Sequence, residues 1–259
     1  MVPDAPPPPQ PQPLTASGLL RYAWQTGAFW LSVFAVVPLL LAVMVATLGR
    51  ARFGLGRQLV RAWGRFMLWA LGVQLDLAPE VTAELARRRR RIVTFNHSST
   101  LDMMVFAAIW PVGMIAVVKK EMLYLPLFGL GILLMGFAPL NRRNAVTARA
   151  SMRAVATRIR REELTLLVAP EGTRSRTGAL LPFKLGAFHA AADADAPIVP
   201  IVIHGTATTW PRHWLHCRPG TLRLTLLPEQ PSGAGQTDRA AIHERAAQLR
   251  ALYQRALTT

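Results

Sequence analysis

Short apolar runs alternate with longer amphipathic segments along most of this chain, and the alternation sets its organisation. β-Branched and aromatic residues gather in runs at 73–77, 91–95, 113–118, near 137–140, 165–169, 198–203 and 221–227, each the length of a strand. Between and after them, 100–109, 144–161, 184–192 and 237–257 read as helices. Alternation of this kind predicts an α/β fold, a mixed sheet flanked by helices. Candidate site residues then gather where strand ends meet helix starts.

The first seventy residues follow another pattern. Residues 1–13 are dominated by proline, which supplies no N–H and cannot build a core, so a disordered tail is expected there. Residues 28–48 contain 21 residues without a charge, enough at 1.5 Å per residue to cross roughly 30 Å of hydrocarbon. We read this stretch as an uncleaved membrane anchor. Arg50, Arg52, Arg57, Arg61 and Arg65 follow it and only Arg21 precedes it, a bias that places the remainder on the cytoplasmic face of a bacterial-type inner membrane. The apolar patch 66–71 is too short to span and reads as an interfacial helix. Three segments are therefore expected: a tail over 1–13, membrane anchor and interfacial helices over 14–72, and an α/β domain over 73–259.

Charge sharpens this picture. Hydrophobic residues make up 51% of the 259, yet the formal net charge is +16, a pairing that an anionic membrane surface satisfies and a soluble domain rarely needs. Nucleic acid is the usual partner of so basic a chain, but no recognition module accompanies the arginines, and none is expected as a partner. The five arginines 87–91 read as a solvated turn or an edge abutting the membrane. Arg149, Arg153 and Arg160 share a helical face suited to headgroups or to solvent. Cys217 is the single cysteine, so no disulfide framework, cysteine-based metal site or thiol catalysis follows. His189 and His204 lie in apolar surroundings and read as core or loop residues, and no metal is assigned.

The chemistry concentrates in two loops. After the strand 91–95 comes Asn96-His97-Ser98-Ser99-Thr100-Leu101-Asp102, with Ser99 and Asp102 in the spacing of a helix capping box. Residues five apart diverge on one continuous helix, so His97 and Asp102 meet only if His97 lies before the helix and folds back. Asp102 would then fix the tautomer of His97, leaving the other ring nitrogen to take a proton from a substrate hydroxyl. Taken alone, this spacing more often marks a helix cap and an ordinary loop histidine. The second loop, Pro170-Glu171-Gly172-Thr173-Arg174-Ser175-Arg176-Thr177-Gly178, combines glycines, hydroxyls and arginines, which suits a phosphate.

Together with Gly136-Phe137-Ala138-Pro139-Leu140-Asn141-Arg142 and Ile198-Val199-Pro200-Ile201-Val202-Ile203, these blocks resemble, in order, the four motifs of the glycerolipid acyltransferases typified by 1-acylglycerol-3-phosphate acyltransferase. Val118-Lys119-Lys120-Glu121 resembles the family's paired-lysine segment. Asn141 stands where the family commonly has aspartate, and Ala169 where it commonly has phenylalanine.

The resemblance implies the glycerolipid acyltransferase fold and acyl transfer from an acyl-coenzyme A or acyl-carrier-protein thioester to a lysophospholipid, with no cofactor. His97 would be the general base and Asp102 its orienting partner. Arg142 and Arg174, helped by Lys120, would hold the acceptor phosphate. Thr173 in the same loop would bind substrate, and Glu171 would order that loop or bind acceptor hydroxyls. Backbone N–H groups near Gly172, or Lys120, would face the developing oxyanion. The uncharged runs 103–118 and 125–140 would supply core and an acyl-chain tunnel. Other acceptors, a lyso-ornithine lipid or glycerol 3-phosphate, and a non-catalytic lipid-binding scaffold are the alternative readings.

Overall fold

The computed structural model describes residues 15–125, 128–141, 145–211, 214–236 and 238–258. The proline-rich tail and Arg142 lie outside the described residues. Two helices open the chain, α1 (Ala16–Ala46) and α2 (Leu55–Leu71). A seven-stranded sheet follows, built from β1 (Val73–Leu77), β2 (Arg91–Phe95), β3 (Met114–Lys119), β4 (Ala138–Leu140), β5 (Thr165–Val168), β6 (Ile198–His204) and β7 (Gly220–Leu226). The order across the sheet is β1-β7-β6-β2-β5-β3-β4; β6 and β7 pair antiparallel and every other neighbour pairs parallel.

Central β2 explains why the strands were legible. It pairs with β6 and β5 on its two sides, and all five of its residues are buried, so both of its faces must be covered. Val93 and Phe95 join a core beneath α1, α2 and α4 (Leu101–Ile109). Ile92 joins a second core beneath α6 (Ala145–Glu162), α7 (Gly186–Ala194) and α9 (Arg239–Thr258). The unanticipated elements are short: α3 (Pro79–Ala86), α5 (Phe128–Leu134), α8 (Thr206–Thr209) and 3-10 turns at Arg50–Phe53 and Lys120–Tyr124.

α1 is the one helix among the described residues long and apolar enough to cross a membrane. Val33, Leu40 and Met44 pack into the domain, whereas Trp30, Leu31 and Phe34 remain exposed. Polar ties fasten it: both amide atoms of Gln25 bond the backbone of Cys217, and the Trp24 indole donates to the carbonyl of Ala70. In the patch 66–71, Met67, Leu68, Ala70 and Leu71 are buried while Phe66 and Trp69 project outward, so the patch is the amphipathic end of α2.

α2 crosses α4 at Gly64, where a Cβ would lie 2.3 Å from the backbone nitrogen of Ala108 and 2.6 Å from the carbonyl carbon of Ala107. Backbone cannot step aside cheaply. Gly64→Ala is expected to destabilise the protein by about 1–3 kcal/mol, seen as a lower thermal midpoint; an unchanged midpoint would contradict this crossing.

The arginine run departs from expectation. Arg91 is fully buried and ion-paired to Glu84 of α3 at 2.6 Å, Arg89 bridges Glu84 and Glu229, and Arg90 pairs with Asp195 at 3.0 Å. The unanticipated α3 supplies the carboxylate that takes the last arginine of the run into the interior.

Candidate active site

The C-terminal ends of β2, β5 and β6 lie side by side, and the chain leaves each through a polar loop. After β2, Asn96 continues the ladder with its side chain: its amide nitrogen donates to Ile203 O at 2.9 Å, and its oxygen accepts from Ile203 N at 2.8 Å. This fixes the exit of β2 just before His97.

His97 folds back onto α4. Its Nδ1 lies 2.7 Å from Asp102 Oδ2, which also accepts the backbone N–H groups of Ser98 and Ser99, each at 3.0 Å. Ser99 Oγ in turn accepts from Leu101 N at 3.2 Å. The carboxylate half of the expected capping box forms, Asp102 accepting Ser99 N–H while also holding an imidazole, whereas the Ser99 hydroxyl serves Leu101 N–H instead of Asp102 N–H. A carboxylate can only accept, so the network assigns the proton to Nδ1 and leaves Nε2 as the basic nitrogen. Asp102 is fully buried, whereas the His97 side chain retains 16% exposure.

The loop after β5 grips this arrangement from the other side. Glu171, 2% exposed, accepts His97 N–H at 2.7 Å with one oxygen and Leu181 N–H at 2.8 Å with the other. Burial raises its pKa, opposed by those two N–H groups. Ser175 N donates to His97 O at 2.9 Å. These two bonds tie the loop to His97 and to Leu181, which is the loop-ordering role expected for Glu171. Gly172 sits at φ +70, a conformation natural to glycine, and its N–H donates to Ala169 O at 3.0 Å. That N–H is thus committed to a turn.

The Arg174 guanidinium donates to Thr100 Oγ1, at the first residue before α4. Thr173 is exposed beside it, and Lys120 is exposed just past the end of β3. His97, Asp102, Glu171, Gly172, Thr173 and Arg174 thus form one constellation, and Lys120 stands on the same edge of the sheet two strands away. Asn96 and the helix-cap residues Ser98, whose hydroxyl meets Thr206 Oγ1 at 2.7 Å, and Ser99, whose hydroxyl donates to Trp210 O at 2.7 Å, complete it, none of them named as a site residue from sequence. The asparagine at a strand end beside the histidine was the available signal for the first.

Thr100 also lines an almost wholly apolar cavity of about 340 Å³ between α1, α2, α4 and α5. Val33, Trp63, Met104, Ala116, Gly131 and Phe137 are among its walls. Both uncharged runs contribute to it. Elsewhere, burial pushes the Cys217 thiol up to about 12, which leaves it without thiolate character. His189 lies 3.5 Å from Arg149 and His204 ends β6, and no group of metal-ligating side chains occurs among the described residues.

A 1-acyl-sn-glycerol-3-phosphate acyltransferase from Cocos nucifera is 32% identical over 206 residues, 75% of this chain and 66% of that protein. One from Limnanthes douglasii is 32% identical over 198 residues, 76% of this chain and 68% of that protein. The chain belongs to the 1-acyl-sn-glycerol-3-phosphate acyltransferase family. It spans about two thirds of the length of these plant relatives. The sequence pattern described as Acyltransferase matches residues 79–204, which run from α3 to the end of β6 and include His97, Asp102, Glu171 and Arg174. The fold agrees with the crystal structure of the 1-acyl-sn-glycerophosphate acyltransferase PlsC from Thermotoga maritima, at a TM-score of 0.72 and 20% identity over 91% of this chain and 95% of that one. The N-terminal segment expected from sequence to enter the membrane corresponds to α1, an apolar helix with the length and composition to cross one.

Proposed function

We propose that the chain transfers an acyl group from an acyl thioester to the free sn-2 hydroxyl of 1-acyl-sn-glycerol 3-phosphate, forming phosphatidate. The observation that carries this reading is a histidine held at 2.7 Å by a buried carboxylate, three residues before Thr100, which lines an apolar cavity. The histidine activates a hydroxyl, and the cavity receives a hydrocarbon chain.

The acceptor hydroxyl gives its proton to His97 Nε2 as its oxygen forms a bond to the thioester carbonyl carbon. The tetrahedral intermediate then collapses with cleavage of the C–S bond, and the imidazolium returns the proton to the departing thiolate. Asp102 stabilises the imidazolium between the two steps. Arg174, anchored through Thr100 beside the imidazole, attracts the acceptor phosphate and sets its hydroxyl toward His97; Arg142 and Lys120 are assigned the same phosphate. The acyl donor is a coenzyme A or acyl-carrier-protein thioester, and the reaction needs no cofactor. The exposed aromatic face of α1 and α2 rests in an anionic membrane, at the cytoplasmic side of the inner membrane, where the acceptor resides.

The test is turnover by detergent-solubilised protein, with labelled acyl-coenzyme A and acyl-carrier-protein donors, on lysophosphatidate, glycerol 3-phosphate and a lyso-ornithine lipid. Preference for lysophosphatidate is expected; faster turnover of lyso-ornithine lipid would replace the phosphatidate reading.

The cavity yields a second expectation. A Cβ at Gly131 would meet no atom within 4 Å, so a side chain there starts in open space, and Gly131→Leu is expected to fill part of the cavity. The ratio of turnover on short to long acyl donors is expected to rise about tenfold for each methylene displaced. An unchanged chain-length profile would remove this cavity from the donor site.

A further inference from the structure

A second concavity, of about 620 Å³, lies between α2, β1 and α3, and no residue of the His97 site or of the apolar cavity lines it. β1 is the edge strand, separated from β2 by β7 and β6. Arg57, Arg61 and Arg65 form one wall, spaced four residues apart and so stacked on one face of α2 at about 6 Å intervals. Leu68, Leu75 and Val81 supply an apolar floor.

No acidic side chain lines this groove among the described residues. Arg57 Nε donates to Trp110 O at 3.0 Å, whereas Arg61 Nε is buried with no hydrogen-bond partner. A buried donor without an acceptor calls for one. Desolvation lowers the pKa of both Arg57 and Arg61, as expected for cations held against apolar surface. Trp69, at the groove's end, is 67% exposed and packs with Phe66 and Trp24, an aromatic cluster of the kind that sits at a membrane interface.

A free phosphate would not use the floor, and a neutral lipid would not use the arginines. We propose that this groove binds one anionic glycerophospholipid, its phosphate on Arg61 and Arg65 and an acyl chain along Leu68, Leu75 and Val81, as a site separate from that of the acceptor. The proposal goes beyond the acyl-transfer reading and does not depend on it.

Native mass spectrometry of the full chain, released from maltoside micelles containing dioleoyl phosphatidylglycerol or dioleoyl phosphatidylcholine, tests it. One phosphatidylglycerol is expected to be retained in preference to phosphatidylcholine. The R61Q/R65Q variant should lose roughly 25-fold in that preference at its two lost charges. Gln74→Glu, which brings a carboxylate to the groove with every arginine in place, should weaken it as well. The charge-matched R88Q/R160Q variant, altered at exposed sites elsewhere, should keep it. Equal loss in that control would reduce the effect to bulk charge and overturn the proposal, as would full retention in both groove variants. Displacement of phosphatidylglycerol by free coenzyme A would also overturn it, by making the groove a donor-nucleotide site.

Discussion

Replacing His97 with alanine is expected to lower acyl transfer by about 10³-fold without changing the thermal midpoint by more than a few degrees. The imidazole is the group placed to remove a hydroxyl proton, and its side chain is 16% exposed, so its loss leaves little cavity. Asp102→Asn should cost less, about 10²-fold. The two backbone N–H groups from Ser98 and Ser99 point at Oδ2, so an asparagine would keep its oxygen there and still accept Nδ1–H. The tautomer survives; what disappears is the negative charge beside the imidazolium that forms in the transition state. Both variants are to be compared by kcat on lysophosphatidate at saturating donor. A His97→Ala enzyme retaining a tenth or more of wild-type turnover would mean that another group takes the proton.

The strands were legible because a central parallel strand is covered on both faces, and 92–95 and 198–203 carry that mainly apolar, β-branched signature, interrupted only by Thr94 and Pro200. α3 was passed over although Pro79 at its first turn and Glu80 behind it mark a helix start. Eight residues give too few turns for periodicity to stand out. In the site, His97 and Asp102 were readable because their spacing constrains a single loop-helix turn. Glu171 was identified but its partners were not, since the His97 N–H it accepts lies 74 residues away and is brought there by the pairing of β2 with β5. The same applies to Asn96, whose meaning depends on which strand stands beside it. Pairing across the sheet converts a polar side chain into a positioning group, and it leaves no local trace in composition.

Arg91 shows the same gap between type and place, and it yields the largest stability effect expected here. Glu84→Ala should destabilise the fold by about 3–5 kcal/mol and lower the thermal midpoint by roughly 6–15 °C. Arg91 is fully buried; its guanidinium reaches Glu84 Oε1 at 2.6 Å, Thr165 Oγ1 at 3.1 Å, Arg87 O at 2.9 Å and the Glu84 carbonyl. Those neutral acceptors remain in the variant, but the carboxylate paired with Arg91 among the described residues does not, and an uncompensated buried cation is costly. Burial opposes ionisation of Glu84, yet the hydrogen bonds and charges of Arg89 and Arg91 outweigh it and hold the carboxyl below the ordinary carboxylate range. Because its folded pKa is depressed, its contribution is present above the unfolded carboxylate value and is lost as pH falls through the lowered one. Wild type and variant should therefore differ most near neutral pH and converge in acid. Denaturant unfolding at pH 7 and in the acid limb measures both. The cluster sits at the entry of β2 and the His97 site at its exit, so activity per folded molecule should be unchanged. A variant of wild-type stability at pH 7 would show that the carbonyl cage alone satisfies Arg91.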